Sequence, residues 1–445
     1  MRQEGLSPSK GIAQQSNTFL KSTSGDNLMT LPAESEAMKM IELYFRTMGC
    51  LNPCLDKNIF VDKYQRLLLN EMRSTTRSWL ALLNAIFAIS TNVMASTSPT
   101  QEVAEMAEKY FRRAVSLVMP DLILKSTLQN AQLLVLLVSY LQGTQHSSQA
   151  WSFHGLAVKT ALELGLHNGD SAKNISIEKE MRKRVWYWIV IHDRTLASTL
   201  NEAVASLYGG NASKDTTIET QGVISGLLIA TCRLLDWKLT LPENLQIVTA
   251  AEIPTIKDEP LELQRCHVLL TVRYLGVRIL VLRPILRDFL DYAMDEVNDV
   301  PKLSLLRTHG INYLRDCVDT CTELVATVDA ILDTFRSGTE IMGAWWFSVY
   351  YTFNASLVML GVLLVYKNLA FENFFTTDSI NDMRASLDRA VAILHELDKG
   401  NPMIKRCIMH LLHLIREYSK ISQHLLHSSA DLNANNVYMH YGLGT

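Results

Sequence analysis

Between Ile341 and Tyr366 the chain reads IMGAWWFSVYYTFNASLVMLGVLLVY, without one ionised side chain. A run of that length can cross a bilayer, and it is also what the centre of a large helical domain needs, a helix apolar on every side. The two readings differ in what sits at mid-run and at the ends. Here the middle carries Tyr350, Tyr351, Thr352, Asn354 and Ser356, and neither flank has the basic cluster that orients a membrane span. The run is therefore expected to be a buried core helix, with no membrane partner. The composition can house such a helix: 445 residues, 48 % of them hydrophobic, make one large core or two ordinary ones. A net charge of −3, from 42 basic against 45 acidic side chains, gives no general field for drawing in nucleic acid or an anionic surface.

From Ala33 onward apolar residues recur at spacings of three and four, and no alternating strand pattern competes with them. The expected fold is all-α, with helices near 36–48, 60–72, 77–95, 100–118, 127–142, 148–166, 177–200, 219–238, 260–292, 303–335, 341–368, 379–398 and 403–427. Ser98-Pro99-Thr100-Gln101 reads as an N-cap, a first-turn proline and a capping-box glutamine, Ser126-Thr127-Leu128-Gln129 repeats the device, and Ser379-Ile380-Asn381-Asp382 is an acidic variant. Residues 1–33 are polar and aperiodic and are expected to form a flexible leader, residues 34–428 the helical domain and residues 429–445 a tail. Asn201 to Thr217, NEAVASLYGGNASKDTT, places Gly-Gly among polar residues and is expected to be the loop between two helical halves. MRQEGLSPSKG lacks the apolar segment of a secretory signal, so the seven cysteines are expected to be thiols in a reducing compartment.

Each candidate for chemistry meets a physical objection. Cys407, His410, His424 and His427 have the donor types of a zinc site, but nothing between Ile404 and Leu426 breaks a helix. Continuous helix would hold Cys407 and His424 about 25 Å apart, beyond the reach of one ion. Cys50 with Cys54 and Cys317 with Cys321 are isolated pairs without a second knuckle, so core thiols are expected. NDMRASLD, Asn381 to Asp388, resembles the second metal motif of terpene synthases, yet the positions that share a face with Asn381 are Ala385 and Arg389. The companion Asp-Asp-x-x-Asp is missing around Asp291, Asp295, Glu296 and Asp299. No glycine-rich phosphate loop, Gly-x-Ser-x-Gly or His-Glu-x-x-His occurs. Arg182-Lys183-Arg184 follows Glu178 and Glu180 at the favourable spacing of four and precedes VWYWIVI, so it reads as the solvated start of a buried helix.

One stretch is distinctive as a series. WSFHGLAVKTALELGLHNGD, residues 151 to 170, holds Trp151, Gly155, Ala157, Ala161, Leu164, Gly165, Leu166 and His167, preceded by Gln129 and Gln132 in a leucine-rich helix. RKRVWYWIVIHDR then supplies Lys183, Arg184, Trp186, Trp188, Asp193 and Arg194, and YLGVRILVLRPIL supplies Tyr274, Arg278, Arg283 and Pro284. Upstream, LPAESEAMKMIELYFRTMGCLNPC opens with Leu-Pro and a Tyr-Phe helix. In this order the pieces resemble the fungal-specific transcription factor domain, the middle region of fungal binuclear zinc cluster regulators, from about Leu31 to Tyr366. The chain departs from that family in two places. After Asp193-Arg194 it reads TLASTLNEAVASLYGG where the family has a Gly-Arg-Pro turn, and the first cysteine is Cys50, so the six-cysteine cluster is not in this chain.

The residues carry a packing explanation of their own. Gly155, Ala157 and Ala161 are expected to form a small-residue face for close helix contact, and Gly165 to end the helix. The resemblance implies a large multi-helix regulatory domain of a fungal transcription regulator, possessing no catalytic, cofactor or metal residue and acting in the nucleus, or in the cytoplasm where no partner supplies import. It implies protein partners or a homodimer, contact with DNA only through a missing module or a partner, and room for a small apolar effector. A metabolic or secondary-metabolite gene cluster is the expected target. An all-α enzyme or a membrane-associated protein are the competing classes.

Overall fold

The computed structural model describes residues 30–420, apart from 70–75, 98–99, 123–124, 145, 169–175, 209–215, 295–298, 336–340, 343–344, 369–370, 372–373 and 398–400, with backbone alone over 193–208. Of the described residues 87 % are helical, and no strand occurs among them. The helices are α1 (Glu34–Leu51), α2 (Lys57–Leu68), α3 (Arg77–Thr97), α4 (Gln101–Leu122), α5 (Leu128–Gln142), α6 (Ser147–Glu163), α7 (Ile177–Tyr208) and α8 (Thr216–Leu239). There follow α9 (Leu261–Met294), α10 (Val300–Leu305), α11 (Ile311–Thr334), α12 (Trp345–Tyr366), α13 (Thr377–Leu397) and α14 (402–420). Two 3₁₀ segments, Glu243–Leu245 and Ala250–Asp258, lie between α8 and α9.

Helix starts fall close to the expected places, but the capping residues are not the expected serines: they lie later at α4 and α5 and earlier at α13. The Thr127 hydroxyl, not Ser126, accepts from the Asn130 amide, and Thr100 accepts from Val103 at the start of α4. At α13, Thr376 accepts from the amide of Ser379, so Ser379 is inside the first turn. In each case the threonine nearest the helix takes the orphan N–H groups. The expected helix over 303–335 begins at Val300 and is interrupted by a π-turn at Leu306–Gly310. The expected loop from Asn201 is also shorter: α7 continues as helix to Tyr208, since NEAVASLY contains good helix formers, while Gly209 and Gly210 lie outside the described residues.

Packing follows from which helices are apolar all round. In the first half, α5 is buried along Asn130–Leu141, and α3, α6 and α7 surround it, with α1 and α4 on α3. In the second half α9, α11 and α12 pack together, α13 covers α11 and α12, and the Ala250–Asp258 segment lies on α11. The halves meet where the Trp346 ring closes on Gly143 and where the Arg273 guanidinium lies 5.2 Å from the Trp188 ring centroid.

The uncharged run becomes α12, and 67 % of its most apolar window is buried by protein. Its polar mid-run residues are accommodated locally. Asn354 donates to the Tyr350 carbonyl at 2.8 Å, Ser356 to the Thr352 carbonyl at 2.8 Å, and Arg283 of α9 donates to the Asn354 side-chain oxygen at 3.4 Å. Among the described residues, three helices are long and apolar enough to cross a membrane by length and composition: Arg77–Ala95, Thr217–Leu239 and Trp346–Tyr366.

Candidate functional site

The corner between α6 and α7 collects the distinctive residues. Gly165 adopts φ +65°, the left-handed conformation that a side chain resists. Its amide donates to the Leu162 carbonyl at 3.0 Å and the Leu166 amide to the Ala161 carbonyl at 2.9 Å, a Schellman termination that turns Leu166 into the core. The Arg182 guanidinium donates to the Leu164 carbonyl at 2.6 Å and so ties the end of α6 to α7. His167 is exposed and its ring lies 5.9 Å from that of Trp186. Arg184 pairs with Glu180 at 2.8 Å along the helix surface. Trp151 is half-buried against the core.

Gly155 is not part of a packing face. It is exposed, and a Cβ added there would meet nothing within 4 Å. The reason is helical geometry: a step of two residues turns through about 200°, so Gly155 points away from Ala157, while Ala157 and Ala161, four apart, share the buried face. Pro284 is exposed within α9, which continues through it, and Arg283 serves α12 as described. The side chains of Asp193 and Arg194 lie outside the described residues.

Sequence reasoning missed the buried polar junction beneath this corner. Trp188 is 4 % exposed, and behind it His192 is fully enclosed. Ser139 lies 3.1 Å from His192 Nε2, accepts from the Asn52 amide at 3.3 Å and donates to the Val135 carbonyl at 2.9 Å. Burial, with His154 and Arg273 nearby, pushes His192 down to about 3. A serine beside a histidine resembles a nucleophile and its base, but here the serine proton goes to its own helix, so the neutral imidazole must donate to the serine. Ser139 is also wholly buried. The junction joins α1, α5 and α7; three polar residues so far apart in sequence leave no periodic signature.

Cys54, Cys317 and Cys321 are buried free thiols. Burial pushes Cys54 up to about 12, and burial together with Cys317 raises Cys321. Cys407 is likewise raised by burial. Thiols held protonated are poor metal ligands. The side chain of Cys50 lies outside the described residues, as do His424 and His427, and helix is continuous from Cys407 to residue 420. No group of three or more possible ligands is assembled among the described residues. Arg389, in the terpene-synthase-like stretch, pairs with Asp329 of α11. An open cavity of about 830 Å³ lies between α4, the end of α5 and the start of α14, lined by Ala104, Glu105, Arg112, Tyr140 and Met403 among others.

The model of the family described as "Fungal specific transcription factor domain" matches residues 41–208. The chain is 24 % identical to transcription factor FBD3 of Gibberella moniliformis over 88 % of its length and 58 % of the relative's. It is 23 % identical to sorbicillinoid biosynthetic cluster transcription factor 2 of Penicillium rubens, over 85 % of this chain and 60 % of that one. The chain thus spans less than two thirds of the length of these curated relatives. Among solved structures, the K. lactis CBF3 core is similar with a TM-score of 0.54 and 13 % identity, covering 96 % of this chain and 93 % of that one, a likeness of fold. The matched region closes at Tyr208, the last residue of α7, so the corner, the junction and their supporting helices all fall inside it. Residues 41–208 are thus the stretch whose sequence is similar to that family.

Proposed function

We propose that the chain is the regulatory part of a fungal transcription regulator that governs a biosynthetic gene cluster from the nucleus. The observation that carries this reading is the coincidence of the domain match with a likeness to named transcription factors that extends across nearly the whole chain. The near-neutral charge supports a division of labour in which another module or partner holds DNA and this part transmits the regulatory signal through protein contacts. An effector is a further element of the proposal. A volume of about 830 Å³ is within the range that small-molecule sites occupy. Its lining mixes Ala104 and Met403 with Glu105 and Arg112, which suits an amphipathic molecule better than a purely apolar one.

Fusion of the chain to an unrelated DNA-binding domain tests the reading. Reporter transcription is expected to change when the fusion is nuclear and folded. No change in either direction under those conditions rejects the regulatory role.

A further inference from the structure

A cleft in the second half of the chain holds two enclosed opposite charges that do not engage each other. It opens between the start of α8, the end of α9 and α10, with a volume of about 360 Å³. Asp288 of α9 and Lys302 of α10 both line it, and they are only 3 % and 6 % exposed. Charges so enclosed are ordinarily paired, because an unanswered one costs desolvation. Among the described residues no ion pair joins these two. Thr220, on the buried side of α8, hydrogen-bonds the Asp288 side chain, and Asp288 Oδ2 is left enclosed without a hydrogen-bond partner. Burial raises the Asp288 carboxyl above its ordinary value, opposed by Lys302, Thr220 and Arg287. Lys302 is held in the first turn of α10, where its amide donates to the Asp299 cap at 3.0 Å. At the mouth, Arg287 lies 3.3 Å from Glu219 and 3.8 Å from Asp291, so one guanidinium serves two half-exposed carboxylates. Three carboxylates against two cations leave the cleft one negative charge in excess.

We propose that this cleft binds a basic α-amino acid. The α-ammonium meets Asp288 Oδ2, the α-carboxylate meets Lys302, and the side-chain cation supplies the positive charge that Glu219 and Asp291 share too little of. Met294, 82 % exposed and part of the lining, offers its thioether to the methylene stem between the two ends of such a ligand. Each simpler ligand leaves a group unanswered. A diamine has nothing for Lys302, an organic anion has nothing for Asp288, and a neutral amino acid leaves the excess charge at the mouth. The cleft volume lies near the low end of small-molecule sites, in keeping with a ligand of this size. It is lined by none of the residues around the larger cavity between α4, α5 and α14. This inference does not rest on the regulatory reading, because it concerns what the folded chain binds.

The test is isothermal titration calorimetry of the purified full chain, with thermal unfolding alongside, using L-lysine, L-ornithine and L-arginine as probes. The controls are 1,5-diaminopentane, which is lysine without its carboxylate, and L-norleucine, which lacks the side-chain ammonium. At least one basic amino acid should bind and raise the unfolding temperature, about tenfold more tightly than either control. Asp288→Asn should weaken that binding by about tenfold or more, with circular dichroism to show that the variant is folded. Arg287→Gln, at the exposed mouth, tests the same site with the opposite sign. Releasing Glu219 and Asp291 should tighten binding of the basic amino acid by about threefold and leave norleucine unchanged. The proposal is overturned when none of the three basic amino acids binds at about 10 mM. A control that binds as tightly as they do overturns it as well, since the cleft then does not read both ends of the ligand. So does binding that a folded Asp288→Asn leaves intact, or that Arg287→Gln fails to tighten.

Discussion

Of the most apolar window in α12, 67 % is buried by protein; of the corresponding window in α8, 11 % is. Both helices pass the same test of length and composition for a membrane span, so composition does not decide where either lies. Position in the fold does. Helix α12 packs against α9, α11 and α13, so most of it finds neighbours within the fold. Helix α8 rests on α9 and α10 from one side only. The hydrophobic effect acts on area removed from water, so the same leucine contributes to stability in one helix and stays in water in the other.

The contrast is sharpest for a charge placed in each helix. Leu363→Lys in α12 puts an ammonium where the leucine is fully enclosed and should lower unfolding free energy by about 4 kcal/mol or more, read by urea denaturation. A loss of under about 1 kcal/mol there would show that α12 is not core. Next in size, Trp188→Ala should cost about 3–5 kcal/mol, since the ring is enclosed and packed under Arg273. Unchanged thermal unfolding would place that face at the surface instead.

Glycine-to-alanine changes extend the comparison with opposite signs. At Gly276 of α9 an added Cβ would collide with the Tyr351 ring of α12, so Gly276→Ala should destabilise by about 1–3 kcal/mol. At Gly226 of α8 the space is open, and Gly226→Ala should stabilise by about 1 kcal/mol through helix propensity. Equal effects from the two, measured by denaturant midpoint, would contradict the packing described.

A smaller effect is set by pH. The unfolded chain takes up the His192 proton near its ordinary value of 6.5, whereas the native state does so only near 3. The unfolded state therefore binds more protons between those values, and stability, complete above about 6.5, is lost as pH falls, by at most about 1.4 kcal/mol per pH unit from this residue. The urea midpoint should drop on acidification, and His192→Gln should flatten that dependence. Smallest of all, Leu235→Lys in α8 should change the stability of the dilute protein by no more than about 0.5 kcal/mol. A large loss would mean that this face is covered within the protomer.

Much of the candidate site was legible in residue order. The Gly165 termination was readable because only a left-handed turn uses glycine in that way between a periodic run and Leu166. Arg184 with Glu180 followed from a spacing of four. The Ser139–His192–Asn52 junction was not readable, because its members lie on three helices and each alone looks like an ordinary polar residue. The Gly155 error had a different origin: proximity in sequence was taken for a shared face.

By itself, then, the sequence determined which segments are helical, where several of them stop, and that the run from Ile341 avoids charge, because periodicity, caps and propensity act within a few residues. Only the tertiary structure decided which apolar faces are enclosed. Enclosure depends on neighbours from distant parts of the chain: α12 has them around most of its surface, and α8 has them on one side.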